Sequence, residues 1–235
     1  MTHQGSGTGT GGGEVRRYHH GDLAAALVAA GLELARAGGP DAIGLREVTR
    51  AVGVTPNAAY RHFTDRAALV LAVATRAQQQ VALAMETRIA AADPETDPRR
   101  RARLRLRAVG LAYIDFALHE PGLFQLAFQT HEQFAKRTDP SATGAAPFHL
   151  LVAALDDLVA AGVLPPDRRP HAEWACWAAV HGLSDLATRG PLHDQDRATI
   201  EQLAHYVVDR AITGIICEDA GSTHPRAAPT KRPTR

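Results

Sequence analysis

Apolar residues recur at steps of three and four along most of this 235-residue chain, and no run of β-branched residues alternates strictly between turn residues. The pattern predicts an all-α fold of about nine helices. Leu23, Leu27, Ala30 and Leu34 share one face of a first helix that begins near His20 or Asp22 and ends at Gly38-Gly39-Pro40. Val48 and Val52 mark a short second helix stopped by Gly53, since glycine takes positive φ at least cost. Val54 and Thr55 form a tight turn. Thr55 then stands as N-cap and Pro56 at the first position of a third helix that ends by Phe63. Thr64-Asp65 caps a long fourth helix from Arg66 to about Ala92, with Leu69, Val73, Ala77, Val81, Met85 and Ile89 at steps of four. Further helices are expected at about 99–119, 121–130, 147–161, 168–189 and 194–217, parted by Pro121, a Thr138–Gly144 loop, Pro165-Pro166 and Gly190-Pro191.

This pattern divides the chain. Low-complexity tails are expected at 1–14 and 219–235, a three-helix unit at 15–66, and a larger helical body at 67–218. An apolar fraction of 45% with 22% charged residues is that of a globular protein, and no stretch approaches the roughly 18 apolar residues of a membrane helix. The N-terminus lacks the basic head and apolar run of a secretory signal, so a cytoplasmic location and no membrane partner are expected. Cys176 and Cys217 lack the paired spacing of a zinc site and are expected to be buried thiols. The net charge of +1 is unevenly spread: residues 143–218 carry ten acidic and five basic side chains. An acidic C-terminal half is a poor seat for DNA, so a nucleic-acid surface has to lie in the N-terminal part.

Residues 45–63 have the form of a helix-turn-helix: a short helix, a turn containing Gly53, and a second short helix that can enter a major groove about 12 Å wide. Val48, Val52, Val54 and Phe63 fall on the inward side. Thr55, Asn57, Ala58, Tyr60, Arg61 and His62 remain as the groups facing bases and phosphates. Arg46 on the preceding helix and Arg66 at the start of the next flank them, and Arg16 and Arg17 could follow the DNA as an arm. Geometry alone leaves open an all-α protein that never meets DNA.

The residues themselves are more specific. Tyr18-His19-His20-Gly21-Asp22-Leu23, and Val48 to Phe63 with Tyr60-Arg61-His62-Phe63 followed by Arg66, resemble the tetracycline-repressor (TetR) family of bacterial transcription regulators. The likeness extends to Ala112–Phe124 and to Trp177-Ala178-Ala179-Val180-His181-Gly182-Leu183, which resemble the regulatory domain of the subgroup named for its Trp, His and Gly. The resemblance implies a homodimer whose last two long helices form a four-helix bundle, a double-stranded DNA operator, and a small-molecule effector. It also implies a phosphate contact from Tyr60, with Arg66 in place of the family's usual lysine. Gly44 and Leu45 stand where many members have Ser or Thr, Thr49 replaces a small alanine, and Ala59 a larger apolar residue. These departures leave the operator sequence unspecified.

In the body, Trp174, Trp177 and His181 share a helical face, and Tyr113, Phe116, Phe124 and Phe128 could meet them, with His119 a second polar candidate. The set is either packed core or the lining of a pocket for an apolar or amphipathic molecule. Ala175, Ala178, Ala179 and Gly182 on another face would allow close helix approach, in a dimer seam or internally. His19-His20 has no third ligand, and the run Arg99 to Arg107, with six arginines, is expected to be a solvated face. No cofactor or metal is called for, and neither a nucleophile elbow nor a phosphate loop is present. The reading is a ligand-responsive DNA-binding regulator, most simply a repressor. Its rivals are a helical small-molecule-binding protein without DNA reading and a small helical enzyme using His181.

Overall fold

The structure, a computed structural model, describes residues 20–129 and 146–217. Arg16, Arg17, both expected tails and the Thr138–Gly144 loop lie outside the described residues. Nine α-helices and two short 3-10 turns, with no strand, make up the described part. In chain order they are α1 His20–Gly38, α2 Leu45–Val52, α3 Pro56–Tyr60, α4 Arg66–Ala90, α5 Pro98–His119, α6 Pro121–Gln129, α7 Ala146–Ala160, α8 Ala172–Thr188 and α9 Arg197–Ile216.

Local chemistry sets the ends. Gly53 closes α2 with φ 77°, and its N–H reaches the carbonyl of Arg50. Asp65 caps α4 by accepting from the Ala68 N–H at 2.7 Å, and Asp196 caps α9 through Thr199 in the same way. Two expected boundaries move. The eighth helix starts at Ala172 rather than near 168, because Pro170 breaks the run and His171 takes a left-handed φ of 69°. The last begins at Arg197, since Asp196 rather than Asp194 supplies the cap.

The faces follow the four-residue spacing. Leu69, Val73, Ala77 and Val81 are fully buried along α4, and Met85 and Ile89 continue the stripe. The helix α5 is central, packing against α4, α6, α7, α8 and α9, while α1 packs on α2, α4 and α6. One continuous core runs from Leu27 to Ile215.

The α1–α6 contact is close. Gly122 at the start of α6 sits against the Ala35 carbonyl, and Arg36 reaches Glu33, the Glu120 carboxylate at 3.0 Å and Gln80 of α4 at 3.3 Å. Gln78, buried on α4, donates to the Ala127 carbonyl at 2.9 Å. Thus α6 is held at one end by α1 and at the other by α4.

One expectation is corrected here. Cys176 is buried but Cys217, just past the last turn of α9, is exposed. The arginine run keeps an exposed face at Arg99, Arg100 and Arg103 and is also bonded: Arg99 donates to the Gly162 carbonyl, Arg105 pairs with Asp157 and Arg107 with Asp209, each at 2.7 Å. These bonds fasten α5 to α7 and α9. Among the described residues no helix is long and apolar enough to cross a membrane.

Candidate DNA interface and regulatory cavity

The short helix α3 is seated by its buried side. Ala59 and Val48 are fully buried and Phe63 nearly so, with Val52 and Val54 packed against the same core. The alanine at 59, smaller than the family's usual residue, lies in full contact with that core. The opposite side carries Thr55, Asn57, Tyr60 and Arg61, all exposed, with Ala58 and His62 half-buried. Tyr60 is 54% exposed, unusual for an aromatic side chain with its whole ring available to the core. Among the described residues the side chains of Arg46, Asn57, Tyr60 and Arg61 have no hydrogen-bond partner. Their donors are free for phosphates and base edges.

The Arg50 side chain, one turn beyond Arg46 on α2, is likewise exposed and has no partner among the described residues; the sequence reading missed it, although its four-residue spacing from Arg46 was visible. Four arginines face two acids between residues 45 and 66, and Asp65 is occupied as a cap. The unit is locally positive where the chain as a whole is nearly neutral.

Two of the residues singled out in the sequence have structural work, and Thr55 does not. Arg66 donates from Nε to the Ile43 carbonyl at 2.7 Å and from Nη2 to the Pro40 carbonyl at 3.0 Å, tying α4 to the link between α1 and α2. Thr49 is buried and its hydroxyl donates to the Leu45 and Arg46 carbonyls, so the larger residue is satisfied inside α2. Thr55 occupies the N-cap position without a side-chain cap bond, which leaves its hydroxyl outward.

In the body the expected aromatic set only partly converges. Tyr113 lies edge-on to Phe124 with centroids 5.3 Å apart, 5.1 Å from Phe128 and 5.5 Å from Trp177. Its hydroxyl meets His181 Nδ1 at 2.8 Å. Phe116, Trp174 and His119 stand apart. Phe116 is half-buried outside this ring cluster; Trp174, in the first turn of α8, is 47% exposed against Phe148. His119 is exposed, with Nδ1 at 2.8 Å from the Asp115 carbonyl, because six residues after Tyr113 the helix has turned it to another face.

A cavity opens beside Tyr113 and Trp177, bounded by α4, α5, α7, α8 and α9. Phe124 and Phe128 buttress Tyr113 from behind and do not line it. Met85, Gly110, Cys176 and Ala211 do line it, and the sequence had no signal for them, since a cavity wall and a core have the same apolar periodicity. Burial pushes the Cys176 thiol up to about 11, so it is protonated and inert near neutral pH. Burial also holds the Tyr113 phenol well above its ordinary value, with the Asp185 charge adding to the effect. Among the described residues no group of three His, Cys, Asp or Glu could hold a metal ion.

Burial lowers the His181 imidazole below its ordinary value, against an opposing pull from Asp185. The unfolded chain protonates this residue near pH about 6.5 and the folded chain only lower. Between those limits the unfolded state holds more protons, so stability falls as pH drops through about 6.5 and levels off below the folded pKa. In His181→Gln the slope of denaturation midpoint against pH should flatten in that window. An unchanged slope would remove His181 from the account.

Residues 27–73 match the family model of bacterial regulatory proteins of the tetR family, and residues 106–211 match that of the tetracyclin repressor-like C-terminal domain. The chain belongs to the TetR family. A protein of unknown function from Rhodococcus sp. RHA1 is 28% identical, with a TM-score of 0.67 over 86% of this chain and 100% of that one. A tetR-family regulatory protein from Rhodococcus RHA1 has the same fold at 21% identity and a TM-score of 0.53, covering 83% of this chain and 98% of its own. So does a TetR-family transcription regulator from Marinobacter aquaeolei VT8, at 20% identity and a TM-score of 0.53, over 79% and 93% of the two chains. No curated protein matches the chain. This TetR-family member is a DNA-binding transcriptional regulator. The matched C-terminal description does not name the Trp-His-Gly subgroup, so that likeness rests on the residues alone.

Proposed function

We propose that the chain is a homodimeric repressor, released from a pseudo-palindromic operator when a small molecule occupies the cavity of its body. Residues 15–66 form the DNA-reading unit and 67–218 the regulatory body, in the cytoplasm. The observation that carries the reading is a set of side chains without partners among the described residues, Asn57 and Tyr60 on α3 and Arg61 at its C-cap, held outward over a buried base. Arg46, Thr55, Ala58 and His62 complete the contact surface, Arg66 sets its angle, and Arg16 and Arg17 supply an arm.

The dimer forms through α8 and α9. Supporting this is an uncovered apolar stripe on α8, where Ala175 and Ala178 are exposed, Gly182 has open space at its Cβ position, and Leu186 is 44% exposed. Two recognition helices would then lie about 34 Å apart, one helical turn of DNA. Effector binding favours a state with another spacing; a coupling of about 1–3 kcal/mol changes DNA affinity about 5- to 150-fold. The helix α6 links the two parts, since its Phe124 and Phe128 back Tyr113 while its first turn rests on α1. Transcripts beside the bound site, measured with and without the regulator's gene, test the sign. They should rise on deletion; a fall would make the protein an activator.

A further inference from the structure

The walls of the cavity are hydrocarbon: Leu106, Val109, Leu151, Val180, Val208 and Ile212 supply most of them, and among the described residues no charged one lines it. Its polar groups are few. The Tyr113 hydroxyl is already bonded to His181, the Cys176 thiol is protonated, and the nearby Arg169 is held by Asp156 and Glu173. A ligand anion would therefore be desolvated without a cationic partner, which is costly. A neutral ligand loses nothing by comparison, and the Tyr113 oxygen, bonded once, retains capacity for one more hydrogen bond.

Size and shape add to this. The cavity has a volume of only about 30 Å³, against the roughly 150 Å³ of a cavity that holds benzene. Gly110 lets α9 approach α5 so closely that an added Cβ would stand 3.1 Å from a Val208 methyl, which makes the space thin. Met85, unbranched with three rotatable bonds, is the wall residue best able to yield.

We infer that the cavity takes an uncharged, planar, apolar molecule, an aromatic hydrocarbon or a phenol carrying at most one hydrogen-bonding group, and that it accepts this molecule by expanding. The inference rests on the ligand-responsive reading above and narrows it. Because the ligand does not fit the closed form, occupancy selects a different conformation, which is the differential affinity that switching requires.

The test is calorimetric titration of the full chain, near neutral pH, with naphthalene, 2-naphthol and 2-naphthoate. Naphthalene and 2-naphthol should bind, and 2-naphthoate should bind at least about tenfold more weakly. Ala211→Phe, which fills the space from α9, should abolish binding without loss of helix content; if that variant fails to fold, Leu151→Phe serves the same purpose from α7. Equal or tighter binding of 2-naphthoate would overturn the inference, as would no binding by any of the three, or binding unchanged in the filled variant. DNA affinity measured in the same samples separates the two levels. Binding of 2-naphthol with unaltered DNA affinity supports the site's chemistry and removes the ligand-responsive reading, whereas DNA release by 2-naphthoate alone removes the chemistry and keeps that reading.

Discussion

Replacing Gly122 with alanine should lower stability by about 2–3 kcal/mol, a drop in Tm of about 4–12 °C for a chain of this length. The reason is geometric. A Cβ at Gly122 would run into the backbone carbonyl oxygen of Ala35, with the Arg36 carbonyl only 3.3 Å away. Both obstacles are backbone atoms of α1, so no side chain can rotate aside and α6 has to retreat. That retreat would stretch the Arg36–Glu120 pair. Differential scanning calorimetry with a parallel DNA-binding assay checks the claim, since the contact joins the DNA-reading unit to the body. A Tm within one or two degrees of the parent would mean that α6 is not seated on α1 in this way. Gly53→Ala would be a weaker probe: it strains a positive φ but meets nothing.

Arg61→Ala and Tyr60→Ala should each weaken DNA binding by about 5- to 150-fold while leaving Tm and oligomeric state unchanged. Both side chains are exposed and make no hydrogen bond or ion pair among the described residues, so their truncation removes no such bond from the fold. The two should differ in kind. If Tyr60 touches phosphate, its loss weakens all sequences alike. If Arg61 reads a base, its loss also relaxes preference at one position of the half-site. Binding isotherms on matched and mismatched duplexes over a range of salt separate these effects. Dissociation of either variant into monomers would contradict the roles assigned.

Much of this architecture was readable from spacing alone. The buried stripe of α4 repeats every four residues, and Gly53, Pro56 and Asp65 mark ends that local chemistry fixes before any tertiary contact forms. What spacing could not supply was the outcome of competition between like signals. Asp194 and Asp196 are both suitable caps, and only packing selects one. At the eighth helix, Pro170 was a stronger breaker than the sequence reading allowed.

The DNA face was clearer than the cavity for a physical reason. An exposed tyrosine at the end of a five-residue helix and an exposed arginine at its C-cap contradict the pattern of a buried element and so stand out. A cavity wall contradicts nothing: Val109 and Leu151 look the same whether they meet a side chain or a void. Periodicity likewise put Trp174 on the face of Trp177 and His181, yet its place in the first turn of α8 leaves it half uncovered. The ion pairs made by the arginines of α5 were not legible because the partners, Asp157 and Asp209, lie far away in sequence.

The most direct test of the central claim is selection of random duplex DNA by the purified, ligand-free protein at moderate salt, with sequencing of what is retained. The account predicts a palindrome of two half-sites whose centres are about one helical turn apart. Failure of the folded, ligand-free dimer to enrich any sequence would contradict it.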